Sequence, residues 1–302
     1  MQPLEPVRTT FRRILSGDDA GRPPWVEALA GPGDHGLFTP GSAIWQVNGS
    51  LATLVGGIRA LLLQACHPLA LAGVEQHSSY RDDPLGRLQR TNMFVTTTTF
   101  GQTPLAEQAI ERVKTVHRSV VGTANNGHTY SAQDPRLLLW VHVGLVDSML
   151  VAAQHYHREP IDADEYVQQM AVVGLALGVL RPPMSETALK ESLDSFSGEL
   201  SGGHDAQEVA QFLQSPGKAL PIGAWAPYAV LSRAAADLLP PSTGALLGVP
   251  HRKTVHQAAN RAACRALLGT LQPILGRYSQ ATLLSYQRCG LTPPLKSGNQ
   301  QT

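Results

Sequence analysis

The stretch "DPRLLLWVHVGLVDSMLVAAQHYH", residues 134–157, decides the fold class. Asp134 followed by Pro135 is an N-cap with proline at the first helical position. The most hydrophobic part, Leu137 to Ala153, runs 17 residues and contains His142 and Asp147. That is just short of a membrane span and reads as a buried core helix. The same device recurs upstream. Thr103-Pro104 opens "LAEQAIERVKTVHRSVV", which Gly122 ends. Asp162 with Glu165 is a capping-box-like start for a helix through about Val179. Ser50 is the expected cap of "LATLVGGIRALLLQA", and Pro68 interrupts that run. Further helices are expected at 186–200, 206–214, 224–238, 252–270 and 279–288.

No run shows sustained period-two alternation bounded by hairpin turns, and no internal repeat is visible. The expectation is an all-α fold of about nine to eleven helices in one domain. Residues 51–290 form that domain. Residues 1–50, rich in Gly, Pro and Asp from position 17, form an irregular N-terminal wrap, and 291–302 a flexible tail.

The chain has 302 residues, 43% apolar and only 16% charged, with net charge +1. That is enough for a real core, with nothing that selects nucleic acid or an anionic membrane surface. Cys66, Cys264 and Cys289 give neither a disulfide framework nor a zinc spacing. The N-terminus has no apolar segment of signal-peptide length. A cytoplasmic protein without stable membrane insertion is expected.

Four histidines and a basic cluster carry the chemistry. Ile110, Val113, His117 and Val120 or Val121 recur at helical steps and make one apolar stripe. His117 therefore points with the core residues, either as a core histidine bonded to a carbonyl or as a metal or haem ligand. His142, between Leu138 and Leu145, needs a partner and is either supporting or structural. His67 precedes Pro68 at a helix break, where cavities tend to form, and His77 ends the same segment.

In "GRLQRTNMFVTTTTFG", 86–101, Arg87, Arg90 and Thr91 share one helix face that then turns apolar. No acid lies four positions away on that helix; Asp82 and Asp83 are the nearest. Two such guanidiniums call for an anion: a carboxylate, a phosphate or a haem propionate. A buried acid from elsewhere in the chain would serve equally.

The zinc motif HExxH, a di-iron ExxH pair, a Walker loop, a GxSxG elbow and an aspartate-rich magnesium helix are all absent from the sequence.

Six motifs occur in order: "IWQVNG" (44–49), "GGIRALLLQACHPLALAGVEQHS" (56–78), "DPLGRLQRT" (83–91), "HRSVVGT" (117–123), "YSAQDPRLLLWVHVGLVDS" (130–148) and "LLPPSTGALLGVPHRKT" (238–254). Together they resemble the rubber oxygenase catalytic domain family, which includes latex clearing proteins and the fungal ER-bound oxygenase of mycophenolic acid biosynthesis. The likeness spans roughly residues 37–275. It implies an all-α, distantly globin-like fold, a b-type haem and dioxygen chemistry on isoprenoid double bonds.

By the same resemblance His117 is the proximal iron ligand. Arg87, Arg90 and Thr91 match an Arg-x-x-Lys-Thr motif of the distal pocket. Arg90 stands where the rubber enzymes carry lysine, and a guanidinium is a poor iron ligand. A lysine-capped iron and a rubber substrate are therefore not expected. Asn48 is assigned no role.

The expectation is a haem-dependent oxygenase using dioxygen or peroxide on an apolar small molecule, an alkene or isoprenoid. His117 binds iron; Arg87, His142 and His67 line the cofactor; Arg87, Arg90 and Thr91 are catalytic. Residues Met93 to Phe100 form an apolar pocket wall whose threonines bond back to their own helix. The rival readings are a haem carrier or sensor without turnover, and a haem-free relative that binds an anionic ligand through Arg87 and Arg90.

Overall fold

A computed structural model describes residues 5–294, except 216, 218 and 219. The expected tail at 291–302 therefore lies largely outside the described residues. The chain is all-α, with fifteen α-helices among the described residues rather than nine to eleven. The excess comes from short helices that periodicity does not register, such as α3 (Ala43–Asn48) and α13 (Pro241–Leu246). The N-terminal segment is also more helical than its composition suggested, because α1 spans Glu5–Ser16.

At the centre α8 (Pro135–Tyr156) packs along α4 (Thr53–Gln64). The Asp134 cap is as read: its Oδ1 accepts from the amides of Arg136 at 2.7 Å and Leu137 at 3.1 Å. Trp140 on α8 is fully buried, as is Tyr166 on α9 (Ala163–Leu177). α8 is long and apolar enough to cross a membrane, and 67% of its most apolar window is buried inside the protein. The α4–α8 seam also holds an ion pair. Arg59 meets Asp147 at 2.7 Å, donates to Ser148 Oγ at 2.7 Å and to the Leu238 carbonyl at 2.9 Å. On the far side of α4 lie α12 (Trp225–Asp237) and α14 (Thr254–Leu275).

Pro68 breaks the chain as expected: α5 (Pro68–His77) leaves α4 at 108°. α6 (Pro84–Phe100) starts on an Asp83 cap, and α7 (Thr103–Ser119) packs against it and against α9. Three local readings need correction. Ser50 does not cap α4; Ala52 holds that position, and Ser50 Oγ donates back to the Val47 carbonyl. Thr103 is the first residue of α7, not its cap, because Asp34 from the N-terminal segment accepts its amide at 2.7 Å. α7 ends at Ser119 rather than at Gly122, because Val121 and Gly122 belong to a two-stranded antiparallel ribbon, β1 (Val121–Thr123) and β2 (Thr129–Ser131), with Val121 opposite Ser131.

Candidate functional site

The C-terminal end of α5 is the organising point. His77 Nε2 donates to the Val121 carbonyl at 3.1 Å, and Gln76 donates to the Thr123 carbonyl at 2.9 Å. The next residue, Ser78, accepts from Arg87 Nη1 at 2.6 Å. One helix end thus ties the start of α6 to the strand that follows α7. The Val120 amide in turn donates to the His117 carbonyl, so Arg87 and the last turn of α7 are fastened to the same anchor.

The α7 stripe is only in part as read, because α7 ends at Ser119 and Val120 and Val121 lie beyond it. Ile110 is buried, while Val113, His117 and Val120 are only partly covered and Val116 is 55% exposed. Leu88, beside Arg87, is also exposed. The His117 ring makes no hydrogen bond among the described residues. Burial alone pulls its pKa below the ordinary histidine value and keeps the imidazole neutral.

Arg87 and Arg90 part company. Arg87 is partly buried, and burial lowers its pKa; the Tyr80 ring system opposes this and Arg90 adds to it. Among the described residues no carboxylate pairs with it. Arg90 is 58% exposed and meets Asp83 at 3.3 Å, seven residues back. That acid also caps α6 by accepting the Gly86 amide. Thr91 is exposed and donates to the Arg87 carbonyl at 3.1 Å. Arg87 and Arg90 therefore do not form one buried clamp.

The threonine run is only in part what it looked like. Thr98 and Thr99 bond back to the carbonyls of Phe94 and Val95, as expected. Residues 96–100 are nevertheless core rather than pocket wall. Phe100 packs edge-on to Trp45 at 4.9 Å, and Asn48, which had no role from sequence, donates to Thr99 at 2.9 Å.

His142 and His67 are elsewhere. His142 is buried between α8 and α9, where a Cβ on Gly174 would lie 2.7 Å from its ring. Its Nε2 is buried without a partner, and burial drops its pKa to about 4. His67 opens the other end of α5, about 15 Å from Arg87's anchor by the helical rise. Its Nε2 lies 3.4 Å from Glu199, and both residues line a cavity of about 370 Å³. Glu199 and its partner Arg136 escaped the sequence reading because no local pattern links positions 63 residues apart.

Which group these residues fit follows from the donor set. No cluster of three His, Cys, Asp or Glu side chains suited to a bare metal ion occurs among the described residues. A porphyrin brings four nitrogens of its own and asks the protein for one neutral imidazole, an apolar slot and a cation for its carboxylates. His117 and Arg87 supply a neutral imidazole and a guanidinium on neighbouring helices, and the α7 residues beside His117 are partly covered apolar surface. Neither the curated proteins nor the solved structures give a match to this chain. One family profile does match, over residues 45–269, about three quarters of the chain. Its description is "ER-bound oxygenase mpaB/B'/Rubber oxygenase, catalytic domain", and the chain, an all-α protein carrying that family's ordered motifs, belongs to it.

Proposed function

We propose that the protein is a haem-dependent oxygenase acting on an apolar small molecule, with His117 as the proximal ligand. The observation that supports this reading is an imidazole on α7 with no hydrogen bond, held neutral by burial, together with a partly buried guanidinium on the neighbouring α6 that no carboxylate pairs among the described residues. Family membership supplies the oxygenase class. A b-type haem at this site supplies activation of dioxygen or peroxide.

The protein's own contributions are binding, orientation and exclusion of water. His117 offers a lone pair without first losing a proton. Arg87 balances a propionate, and Ser78 fixes the guanidinium's direction. Leu88, Val113 and Val116 present apolar surface that would favour an alkene or isoprenoid over a polar substrate. Arg90 and Thr91 act at the rim, where Arg90 exchanges Asp83 for an incoming anion. Their assignment as catalytic groups rests on the motif. A cytoplasmic setting agrees with the three free cysteines.

The test is the visible spectrum of the purified protein after expression with a haem precursor. A Soret band that His117→Ala shifts or abolishes is expected. A haem-loaded protein whose band ignores that substitution would sink the ligand assignment. Dioxygen uptake with candidate alkenes then separates an oxygenase from a carrier or sensor. The Arg87 geometry also suits a non-haem anionic ligand, and a colourless protein would favour that reading.

A further inference from the structure

The cavity at the α4–α5 corner lies at the opposite end of α5 from Arg87, about one ten-residue helix length, or 15 Å, away. Its volume of about 370 Å³ suits a small organic molecule. The walls are His67, Glu199, Arg136, Asp134, the β2 strand and the apolar pair Leu69 and Leu137.

The hydrogen-bonding capacity of these groups decides what fits. Arg136 is largely spent. Its Nε and Nη2 donate to Glu199 Oε1 at 2.9 and 2.6 Å, Nη2 also reaches the Ser195 carbonyl at 2.9 Å, and the guanidinium stacks 3.5 Å over the Phe196 ring. What remains is mainly acceptors. Asp134 uses only Oδ1 for the α8 cap, and Oδ2 makes no hydrogen bond. Glu199 Oε2 has a single long contact, 3.4 Å to His67 Nε2. His67 is 3% exposed, and its Nδ1 is buried without a donor. Two exposed carboxylates, Asp134 and Glu199, and one guanidinium line the wall, which therefore carries one net negative charge. Burial keeps His67 neutral, against the pull of Glu199, so it adds no positive charge.

We propose that this cavity is a second ligand site, separate from the Arg87–His117 end, that takes a small protonated amine with a short apolar body. The ammonium donates to Asp134 Oδ2 and Glu199 Oε2, and the body lies on Leu69 and Leu137. A carboxylate or phosphate suits it less well, because Arg136 is already paired with Glu199 and stacked on Phe196, with a single Nη1 N–H left to offer.

The test is a titration of the purified full chain with phenethylammonium, 2-phenylethanol and phenylacetate, three probes of one shape and different charge. Binding is read by calorimetry and by the His67 ring signal, assigned with His67→Gln. Phenethylammonium is expected to saturate and to bind about tenfold more tightly than either analogue, a difference of about 1.4 kcal/mol. Glu199→Gln should remove most of that preference. Thr129→Trp, on the exposed ribbon, should close the mouth and abolish binding while leaving the Glu199–Arg136 pair and the unfolding midpoint unchanged. The idea is overturned if the three probes bind alike or not at all, or if Thr129→Trp retains the wild-type affinity. If Glu199→Gln fails to fold, the probe series and Thr129→Trp decide alone.

Discussion

Gly56 and Gly57 are neighbours in α4, yet the structure assigns them opposite responses to alanine. A Cβ at Gly57 meets nothing within 4 Å. A Cβ at Gly56 would lie 2.8 Å from Met149 Sδ, 3.1 Å from Met149 Cα and 3.1 Å from the Ser148 carbonyl. Either substitution gains about 0.8–1.0 kcal/mol of helix propensity. Gly57→Ala should keep that gain and stabilise the protein by roughly 1 kcal/mol. Gly56→Ala must also part α4 from α8. The thioether can swing aside, but the backbone atoms cannot. Overpacking of this kind costs about 1–3 kcal/mol. The seam being opened also holds Arg59 and Asp147 at 2.7 Å, so relaxation is resisted. Gly56→Ala should therefore be destabilising by about 0–2 kcal/mol net, toward the upper end because the seam resists relaxation. Urea unfolding followed by far-ultraviolet circular dichroism, with unchanged slope, measures both. If the two variants shift the midpoint in the same direction, the close-packed seam is wrong.

Asp147→Asn strands Arg59 as a buried charge and should cost about 3–5 kcal/mol, whereas Arg59→Met combined with Asp147→Leu should recover most of it in the same assay. His142 titrates near 4 in the folded chain and near its ordinary 6.5 when unfolded. Between those values only the unfolded chain takes up the proton. Stability should thus be complete above about pH 6.5 and fall by up to roughly 3 kcal/mol as pH drops to about 4. His142→Leu should flatten that slope, and an unchanged slope would refute the assignment. In haem titrations Arg87→Gln should weaken binding at least tenfold more than Arg90→Gln, since Arg90's exposed pair with Asp83 is worth only about 0–1 kcal/mol. Equal losses would show that burial does not separate the two cations.

The sequence made the long helices legible because their ends are written in local chemistry. Asp134-Pro135 and Asp162 with Glu165 cap as read. Local rules failed where the partner is remote. Thr103 looks like a cap until Asp34 supplies the oxygen from the N-terminal segment. The β1–β2 ribbon has three-residue strands, too short for alternation to register. The α7 stripe predicted that His117 faces inward, and the structure leaves it only partly covered; His67 before Pro68 does line a cavity, but at the far end of α5. Arg90's partner was among the nearest acids named, but spacing did not pair the two. A search at three and four residues covers neighbours on a helix, whereas Asp83 sits in the cap and folds back across two turns. Glu199, 132 residues from His67, leaves no trace in spacing at all.

The contrast between the two arginines also bears on which residue gives this chain its chemistry. A guanidinium has five N–H donors and cannot shed its charge. Arg90 sits in water beside a carboxylate, and its environment would look much the same with lysine there. Arg87 is partly desolvated, has one hydroxyl partner and has a second cation nearby. Such a position disfavours the charge it carries unless an anion comes to it. The lysine-to-arginine departure at position 90 is therefore the more visible feature of "RLQRT", but Arg87 is the cation whose burial no carboxylate offsets among the described residues. An anion bound there stabilises the folded chain by RT ln(1 + [L]/Kd). Loss of Arg87 should remove that increment, while loss of Arg90 should leave most of it in place.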